Sequence, residues 1–415
     1  MRRPALSGPE SNIWKYYTFQ FLLNFQLWWP IWVIYLTEQR GLSLGQVTLI
    51  DVPFWATIVF LQIPSAAVAD RWGRKPTLIA AGLSMAVAVT LFGVASSFWL
   101  LLLSYLIWGI SFSLLFGAES AFIFDSLKSM GRENEYSKIY GRAWGLATAA
   151  MLAGTLIGAP LADSTNLSVP IIVSGGIAGL AALFAITLSE PEPMDRSRKT
   201  ISYAKIIGDS AQLVRTRPAV RYSILFYGLI TVGSIAPVIL FQPFLIEHDV
   251  DIGDVGFWQT PTRVAGIVGA VAAHRLILAA GERATFYAMP VVLIFSYLML
   301  GLWDSLYAQI AFPLMNFVVI LSQPTVTDYL NRRVPTEQRA TVISLTNLAR
   351  SAVLILAAPL LGLLADEASL ATSFIVAGAL VAGFGLPLMA LWSPFISPHR
   401  GAETIEAEPA SKGGD

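Results

Sequence analysis

The sequence has no cysteine, little charge and few residues that bind metals. Without cysteine, the chain can form no disulfide, no thiolate metal site and no cysteine nucleophile. The three histidines, His248, His274 and His399, are too scattered to predict a metal cluster. Only 13% of the 415 residues are charged, and the 27 basic and 27 acidic side chains cancel, which leaves no positive surplus to neutralise nucleic acid. We therefore expect no metal, no cofactor, no catalytic residue and no nucleic-acid partner.

Apolar residues are abundant: they make up 55% of the chain, and the mean hydropathy is +0.63. A helix crosses a hydrocarbon core of about 30 Å with roughly 20 apolar residues, and charged residues divide the chain into stretches of that length. The first stretch, 16–37, is too long for a signal-peptide core and lacks a cleavage pattern. The stretch 76–118 is long enough for two crossings. The predicted spans 1 to 12 are 16–37, 52–69, two within 76–118, 143–162, 164–189, 222–246, 255–273, 284–303, 305–327, 340–365 and 368–393.

The positive charges predict the orientation of these spans. Lysine and arginine are retained on the cytoplasmic side of a membrane. With both termini inside, 24 of the 27 basic residues are cytoplasmic and only Arg40 is external, while Arg263 and Arg350 fall within spans. The sequence therefore predicts a multi-pass protein of the plasma or inner membrane with both termini in the cytoplasm.

The two halves of the chain resemble each other at an offset near 203 residues. Asp125 matches Asp328, and the pair Ala162-Asp163 matches Ala365-Asp366. This spacing predicts duplication of a six-helix unit, a common design in membrane transporters. The predicted units are a bundle at 1–189, a cytoplasmic linker at 190–221, a second bundle at 222–395 and a disordered cytoplasmic tail at 396–415. The linker is either a short surface helix or a solvated connector.

A charged motif follows span 2, in the segment 66–75 with the sequence AAVADRWGRK. It resembles the G-x-x-x-D-R-x-G-R-[RK] motif of the major facilitator superfamily (MFS), which lies between spans 2 and 3 in that family. Ala66 replaces the first glycine and still permits close helix approach. The resemblance implies an all-α integral membrane fold with twelve helices in two six-helix bundles. It also implies transport by alternating access.

The motif residues suggest a cytoplasmic gate. An acid such as Asp70 can accept hydrogen bonds from the positive N-terminus of a helix in the other bundle, which we expect to be span 11 starting near residue 340. Gly73 permits a tight turn, and the nearby cations can reach Asp125 at the end of span 4. The candidate gate residues are Asp70, Arg71, Gly73, Arg74, Lys75 and Asp125. The alternative is that the cations only anchor the topology.

Three ionisable residues are predicted inside the membrane: Arg263, Arg350 and Glu119. Burying such a group costs about 2.5–3.5 kcal/mol, so each is expected to face a cavity or a partner. The arginines are candidates for binding an anion, and Glu119 for binding substrate or carrying a proton. The alternative for all three is a structural ion pair or a hydrated side chain.

Polar residues of spans 1, 7 and 10 are further candidates for substrate contacts, because the resemblance implies that spans 1, 4, 7 and 10 line the cavity. An amide in lipid is costly without a partner, which favours an inward orientation. The alternative for each is a hydrogen bond between helices. These candidates are Asn24, Gln242, Asn316, Gln323 and Trp28.

The sequence thus predicts a secondary transporter of a small solute. One hypothesis is proton-coupled efflux of a drug-like or metabolite substrate, although span 4 lacks the arginine usual in drug exporters of the family and span 5 only approximates their glycine-rich pattern. The other is movement of a small organic anion or zwitterion by the intramembrane arginines. An integral-membrane enzyme or a receptor without transport is a further alternative. The expected partners are the solute, membrane lipid and a coupling proton, and the expected assembly is a monomer.

Overall fold

The fold consists of helices. The computed structural model describes residues 8–191, 208, 212–334 and 336–396, and no strand occurs within these ranges. Most of the predicted linker and nearly all of the predicted tail lie outside them. The main helices of spans 1 to 12 are Pro9–Asn24, Leu44–Trp72, Arg74–Val94, Phe98–Lys128, Tyr136–Ser164, Ser168–Ala185, Pro218–Thr231, Val255–Ala280, Glu282–Leu302, Ala311–Asn331, Thr336–Glu367 and Leu370–Trp392.

Ten helical segments within the described residues are long and apolar enough to cross a membrane. The two predicted spans missing from that set each have a physical reason. Span 1 is not one continuous helix, because residues 25–31 separate Pro9–Asn24 from a short helical segment at Trp32–Gln39. Span 8 is a continuous helix, and over residues 255–273 the polar residues Gln259 and Arg263 lower its hydropathy.

The packing repeats between the halves, as the duplication predicts. In the first half span 4 packs against spans 2 and 3, and span 3 packs against span 6. In the second half span 10 packs against spans 8 and 9, and span 9 packs against span 12. Small residues permit these approaches, since a Cβ atom on Gly82 would lie 3.0 Å from that of Ala182.

The halves meet at one end of the bundle. We call this end the far side, because Pro9 and Phe395 lie at the other end. There span 2 packs against span 11, and span 5 packs against span 8. The Asp366 carboxylate accepts hydrogen bonds from the backbone N–H groups of Leu44 and Gly45, at 2.8 and 2.7 Å. These are unpaired donors of the first turn of span 2, so a carboxylate of one half caps a helix of the other. The far side is closed in this conformation.

A tag at residue 1 should be cytoplasmic and a tag near Asp249 external, because the basic residues are so unevenly distributed. Tags at residues 205 and 410 should also be cytoplasmic. Protease or antibody access in intact cells measures this, with permeabilised cells as the control. External access to the tag at residue 205 would contradict the twelve-span topology.

Candidate functional site

The break in span 1 is stabilised by a side chain from the other half. Gln242 of span 7 is fully buried, and its carbonyl oxygen accepts hydrogen bonds from the N–H groups of Val33 and Ile34 at 2.9 and 3.3 Å. Its amide donates to the carbonyl of Trp29 at 3.0 Å. Gln242 therefore satisfies backbone groups that the break leaves without helical partners. The contact between helices, one of its two predicted roles, is the one observed here.

The other candidate amides differ in their surroundings. Asn24 donates to the carbonyl and side-chain oxygens of Gln20, one turn earlier in span 1. Asn316 donates to the backbone carbonyl of Thr262 in span 8 at 2.7 Å. Gln323 is exposed and has no hydrogen-bond partner among the described residues. Asn24 and Asn316 thus link or brace helices, and Gln323 is free to contact a solute or lipid.

Glu119 is buried in span 4, with 8% of its surface exposed, among neutral groups. Gln20 donates to one carboxylate oxygen at 2.8 Å and Tyr140 donates to the other at 3.3 Å. No cation pairs with Glu119 within the described residues, so the ion pair considered from the sequence is not formed here. A carboxylate in such a place is a group that can exchange a proton with little rearrangement.

The intramembrane arginines each lie over a tryptophan of the opposite half. The guanidinium carbon of Arg263 is 5.0 Å from the ring centre of Trp29, and that of Arg350 is 5.2 Å from the ring centre of Trp55. Neither arginine has a salt bridge or hydrogen bond to any described residue. Cation–π contacts of this kind contribute about 0.5–2 kcal/mol and leave the guanidinium N–H donors unused.

An unbroken series of aromatic contacts connects these two tryptophans. Trp28 contacts Trp29 and Trp108, with ring centres 4.9 and 5.3 Å apart. Phe54 stacks on Trp108 at 4.3 Å and contacts Trp55 at 5.0 Å. Trp28 is buried, and its indole N–H has no hydrogen-bond partner among the described residues. Trp28 is therefore part of the wall that joins the two arginine sites.

Asp51 is a charged residue of the membrane region that the sequence prediction missed. We expected it to mark the start of span 2, but the helix begins at Leu44 and Asp51 lies two turns inside it. The indole N–H of Trp55 donates to its carboxylate at 2.6 Å. The earlier start of this helix could have been predicted from the sequence, because Ser43 and Gln46 have the spacing of a capping box. The structure contains that capping box.

The gate motif has the predicted turn and the predicted link to span 4. Gly73 has φ 106°, a conformation that strongly favours glycine. Arg74 pairs with Asp70 at 2.7 Å and with Asp125 at 3.3 Å. The Glu190 carboxylate accepts hydrogen bonds from the N–H groups of Arg74 and Lys75. The motif thus joins spans 2, 3, 4 and 6 of one half.

The corresponding loop of the second half has the same turn with the charges reversed. Gly281 has φ 86°, so it shares with Gly73 the positive φ that favours glycine. Glu282 follows it and pairs with Arg332 and Arg333 at the end of span 10, both at 3.0 Å. In the first half a loop cation meets an acid of span 4, whereas here a loop acid meets two cations at the end of span 10, one of which also pairs with Asp328, the counterpart of Asp125.

The predicted contact between Asp70 and span 11 is not formed in this conformation. The Asp70 side chain is 65% exposed and pairs with Arg74, and Arg71 is also exposed. Span 11 begins at Thr336, four residues before the predicted start. The latch between Asp70 and span 11 remains a prediction for a conformation with the far side open.

Comparison with known proteins gives the same fold. A crystal structure of a point mutant of the nucleoside transporter NupG superposes with a TM-score of 0.80 at 12% identity, covering 92% of this chain and 99% of that one. A bacterial homologue of the human lysosomal transporter Spinster, inward-facing and unoccupied, gives a TM-score of 0.73 at 15% identity, covering 94% and 99%.

Curated sequences match over shorter segments. A Na⁺, Li⁺, K⁺/H⁺ antiporter of Planococcus maritimus is 28% identical over 149 residues, which is 34% of this chain and 34% of the antiporter. The protein Zinc Induced Facilitator 1 of Arabidopsis thaliana is 32% identical over 99 residues, covering 24% and 19%. The chain therefore matches about a third of the length of the first of these relatives and about a fifth of the second.

The family model covers most of the chain. The model described as Major Facilitator Superfamily matches residues 17–358, from span 1 into span 11. Both the transporter fold and this match confirm the family indicated by the motif, and they indicate a transporter rather than an enzyme. This chain belongs to the major facilitator superfamily.

Proposed function

We propose that the protein moves a small organic anion or zwitterion across the cell membrane, with Arg263, Arg350 or both holding the negative group. The observation that carries this proposal is that both guanidinium groups lack a carboxylate partner within the described residues. A cation at mid-membrane depth costs about 2.5–3.5 kcal/mol and is usually paired. An anionic solute would supply the missing partner and could be bound by two parallel hydrogen bonds.

The geometry supports an anionic group over a purely cationic drug. A lipophilic cation would be repelled by the two arginines, whose charges reach the junction of the halves over Trp29 and Trp55. Transporters of this design place their solute at that junction. Efflux of a drug-like cation is therefore the less favoured of the two hypotheses.

Transport would proceed by alternating access between this conformation and one with the far side open. On the predicted topology the far side is external, so the conformation described is inward-facing. Opening would break the Asp366 cap on span 2 and close the cytoplasmic side. We propose that Asp70 then leaves Arg74 and caps the start of span 11, as the motif predicts.

At least one of the replacements Arg263→Ala and Arg350→Ala should reduce solute uptake at least tenfold. Arg→Lys should also impair uptake, although charge is retained, because lysine lacks the planar fork that binds a carboxylate or phosphate by two hydrogen bonds. Uptake by vesicles containing purified protein is the measurement, over a set of organic anions, zwitterions and cations.

Arg275→Ala is the matched control, since this arginine lies on the same helix as Arg263 but near its end. The apo proteins should retain similar unfolding temperatures, which separates loss of binding from loss of folding. Normal uptake of every transported solute by both Arg263→Ala and Arg350→Ala would contradict the proposal.

We further propose that Glu119 couples transport to protons. It is a buried carboxylate, its hydrogen-bond partners are neutral, and these partners, Gln20 and Tyr140, lie on two other helices. The relation to a proton-coupled antiporter over a third of the chain supports this assignment. Protonation would change the hydrogen bonds between spans 1, 4 and 5 and so bias the two conformations.

Glu119→Gln should abolish the response of transport to a pH gradient while retaining exchange of solute for solute. Glutamine preserves the size of the side chain but cannot exchange a proton. Flux into vesicles with and without an imposed gradient measures this. Glu247→Gln, at an exposed position, is the control. An unchanged gradient response in Glu119→Gln would refute the coupling role.

A further inference from the structure

Asp51 is held inside the membrane region on the face of span 2 that meets span 11. It lies seven residues after Leu44, about 10 Å along the helix. Thr48 of the same helix packs against span 11, where a Cβ atom on Gly362 would lie 2.4 Å from its hydroxyl oxygen. Residues 48, 51 and 55 follow at helical spacing and share one face. Asp51 and Trp55 are thus directed toward the junction of the halves.

The Asp51 carboxylate has one neutral hydrogen-bond donor and no cation among the described residues. That donor is the Trp55 indole N–H at 2.6 Å. An ionised carboxylate has room for about four hydrogen bonds, so most of its capacity is unused. The helix start does not require it, because Ser43 and Asp366 already bind the N–H groups of the first turn. No structural role for the charge is evident in the fold.

Trp55 also contacts a positively charged residue. Arg350 of span 11 lies 5.2 Å from the ring centre of Trp55. Asp51 and Arg350 nevertheless form no salt bridge with each other. The Trp55 indole therefore contacts both a carboxylate and a guanidinium that are not paired. Arg263 differs in this respect, because it covers the ring of Trp29, and no carboxylate of the described residues binds that indole.

A solute with one charge would satisfy only one of these groups. An anion on Arg350 would leave Asp51 without a partner and would be repelled by it, and a cation on Asp51 would have the converse problem. A buried charge without a partner is costly, whereas a charge-assisted hydrogen bond on each side satisfies both. The arrangement fits a molecule that carries both charges a few ångströms apart.

We propose that Asp51, Trp55 and Arg350 form a zwitterion site, in which Arg350 binds the carboxylate of the solute, Asp51 binds its ammonium group and the indole packs against the carbon atoms between them. The proposal rests on the proposed function and narrows its substrate class from anions in general to small amino-carboxylates. Asp51 is the residue that selects for the positive group.

The test uses two sets of probes that differ only in charge. One set is phenylalanine, 3-phenylpropanoate and 2-phenylethylamine; the other is 5-aminopentanoate, pentanoate and pentylamine. Binding to the purified full-length protein in nanodiscs is measured by calorimetry and by the ligand-induced change in unfolding temperature. The wild type should bind at least one zwitterion about tenfold or more tightly than its matched anion and amine.

Asp51→Asn should remove that preference, because asparagine can still accept the Trp55 hydrogen bond but has no charge for the ammonium group. Affinity for the zwitterion should fall about tenfold or more, and affinity for the matched anion should be unchanged or higher. Arg350→Ala should weaken both. Glu247→Gln, an exposed acid, should change neither.

The outcomes separate this proposal from the function on which it rests. If Asp51→Asn leaves the ratio of zwitterion to anion affinity unchanged while Arg350→Ala weakens anion binding, the zwitterion site is wrong and anion transport stands. If the wild type binds none of the zwitterions, the site is also wrong. If no arginine replacement affects uptake of any transported solute, the proposed function itself fails.

Discussion

Gly256→Ala is expected to open the far side of the protein. A Cβ atom at this position would lie 2.2 Å from the carbonyl oxygen of Thr155 in the other half, so the two helices must separate. Overpacking of this kind costs about 1–3 kcal/mol, and only the conformation with the far side closed bears the cost. The population ratio of the two conformations should therefore change roughly five- to 150-fold.

Gly362→Ala should have the same effect at the second contact between the halves. Its Cβ atom would lie 2.4 Å from the Thr48 hydroxyl and 2.7 Å from the Leu44 carbonyl. Because the chain contains no cysteine, an introduced cysteine is the one thiol that can be labelled. Thr48→Cys reports on Gly256→Ala, and Thr155→Cys reports on Gly362→Ala, since both threonines are fully buried when the far side is closed. Thiol labelling should accelerate in both pairs.

Gly176→Ala is the matched control, because this glycine also lies in a helix but a Cβ atom there meets nothing within 4 Å. Alanine favours a helix over glycine by about 1 kcal/mol, so the control should be neutral or stabilising. Labelling rates in Gly256→Ala and Gly362→Ala that match those of Gly176→Ala would contradict the proposed role of these contacts.

Gln242→Leu should cause the largest loss of stability among single replacements in span 7. It removes the acceptor for Val33 and Ile34 and the donor for Trp29, and leaves buried backbone groups without partners. Each of these three groups costs about 1–3 kcal/mol, so a loss of roughly 3–9 kcal/mol is expected. Thermal unfolding of the purified protein in nanodiscs provides the measurement.

Gln242→Glu gives a graded comparison, because its carboxylate can still accept from Val33 and Ile34 but cannot donate to Trp29 when ionised. Its stability should lie between those of the wild type and Gln242→Leu. Gln323→Leu, at an exposed position, should leave stability nearly unchanged. An unfolding temperature for Gln242→Leu equal to that of Gln323→Leu would show that solvent or lipid replaces these hydrogen bonds.

Charge and hydropathy alone predicted the helical membrane fold, because a bilayer forces apolar stretches into helices. They failed where a charged residue lies inside a helix. Lys15 and Asp51 were treated as boundaries, yet Lys15 is buried in span 1 and donates to the carbonyl of Thr187, and Asp51 lies within span 2. A hydropathy scale assigns every charged residue to water, whereas a folded protein can hold a charged side chain inside a span by giving it hydrogen-bond partners.

The extent of the break in span 1 was also not predicted. Pro30 lies within residues 25–31 and cannot donate the backbone hydrogen bond that a helix interior requires, so the sequence does mark a kink in this segment. The sequence could not show that Gln242, more than 200 residues later, satisfies the backbone groups that the break frees. Among the candidates, the sequence identified Arg263, Arg350 and Glu119 as intramembrane charges, but it could not pair them with Trp29, Trp55 or Gln20, since such pairings depend on how helices rotate.

The reversed charges of the two gate loops constrain how the duplicated halves diverged. The loop cation Arg74 meets an acid on span 4, whereas the loop acid Glu282 meets cations on span 10. Asp125 and its counterpart Asp328 are both acids, so the charge on the helix was retained, and the cations at positions 332 and 333 stand where the first half has Ser129 and Met130. Cations gained beside Asp328 would have been paired with it, as Arg332 is now, before the loop residue became acidic. A chimera that exchanges only the two loops would therefore bring two like charges, Glu282 and Asp125, together, whereas Arg74 would meet Asp328 as well as Arg332.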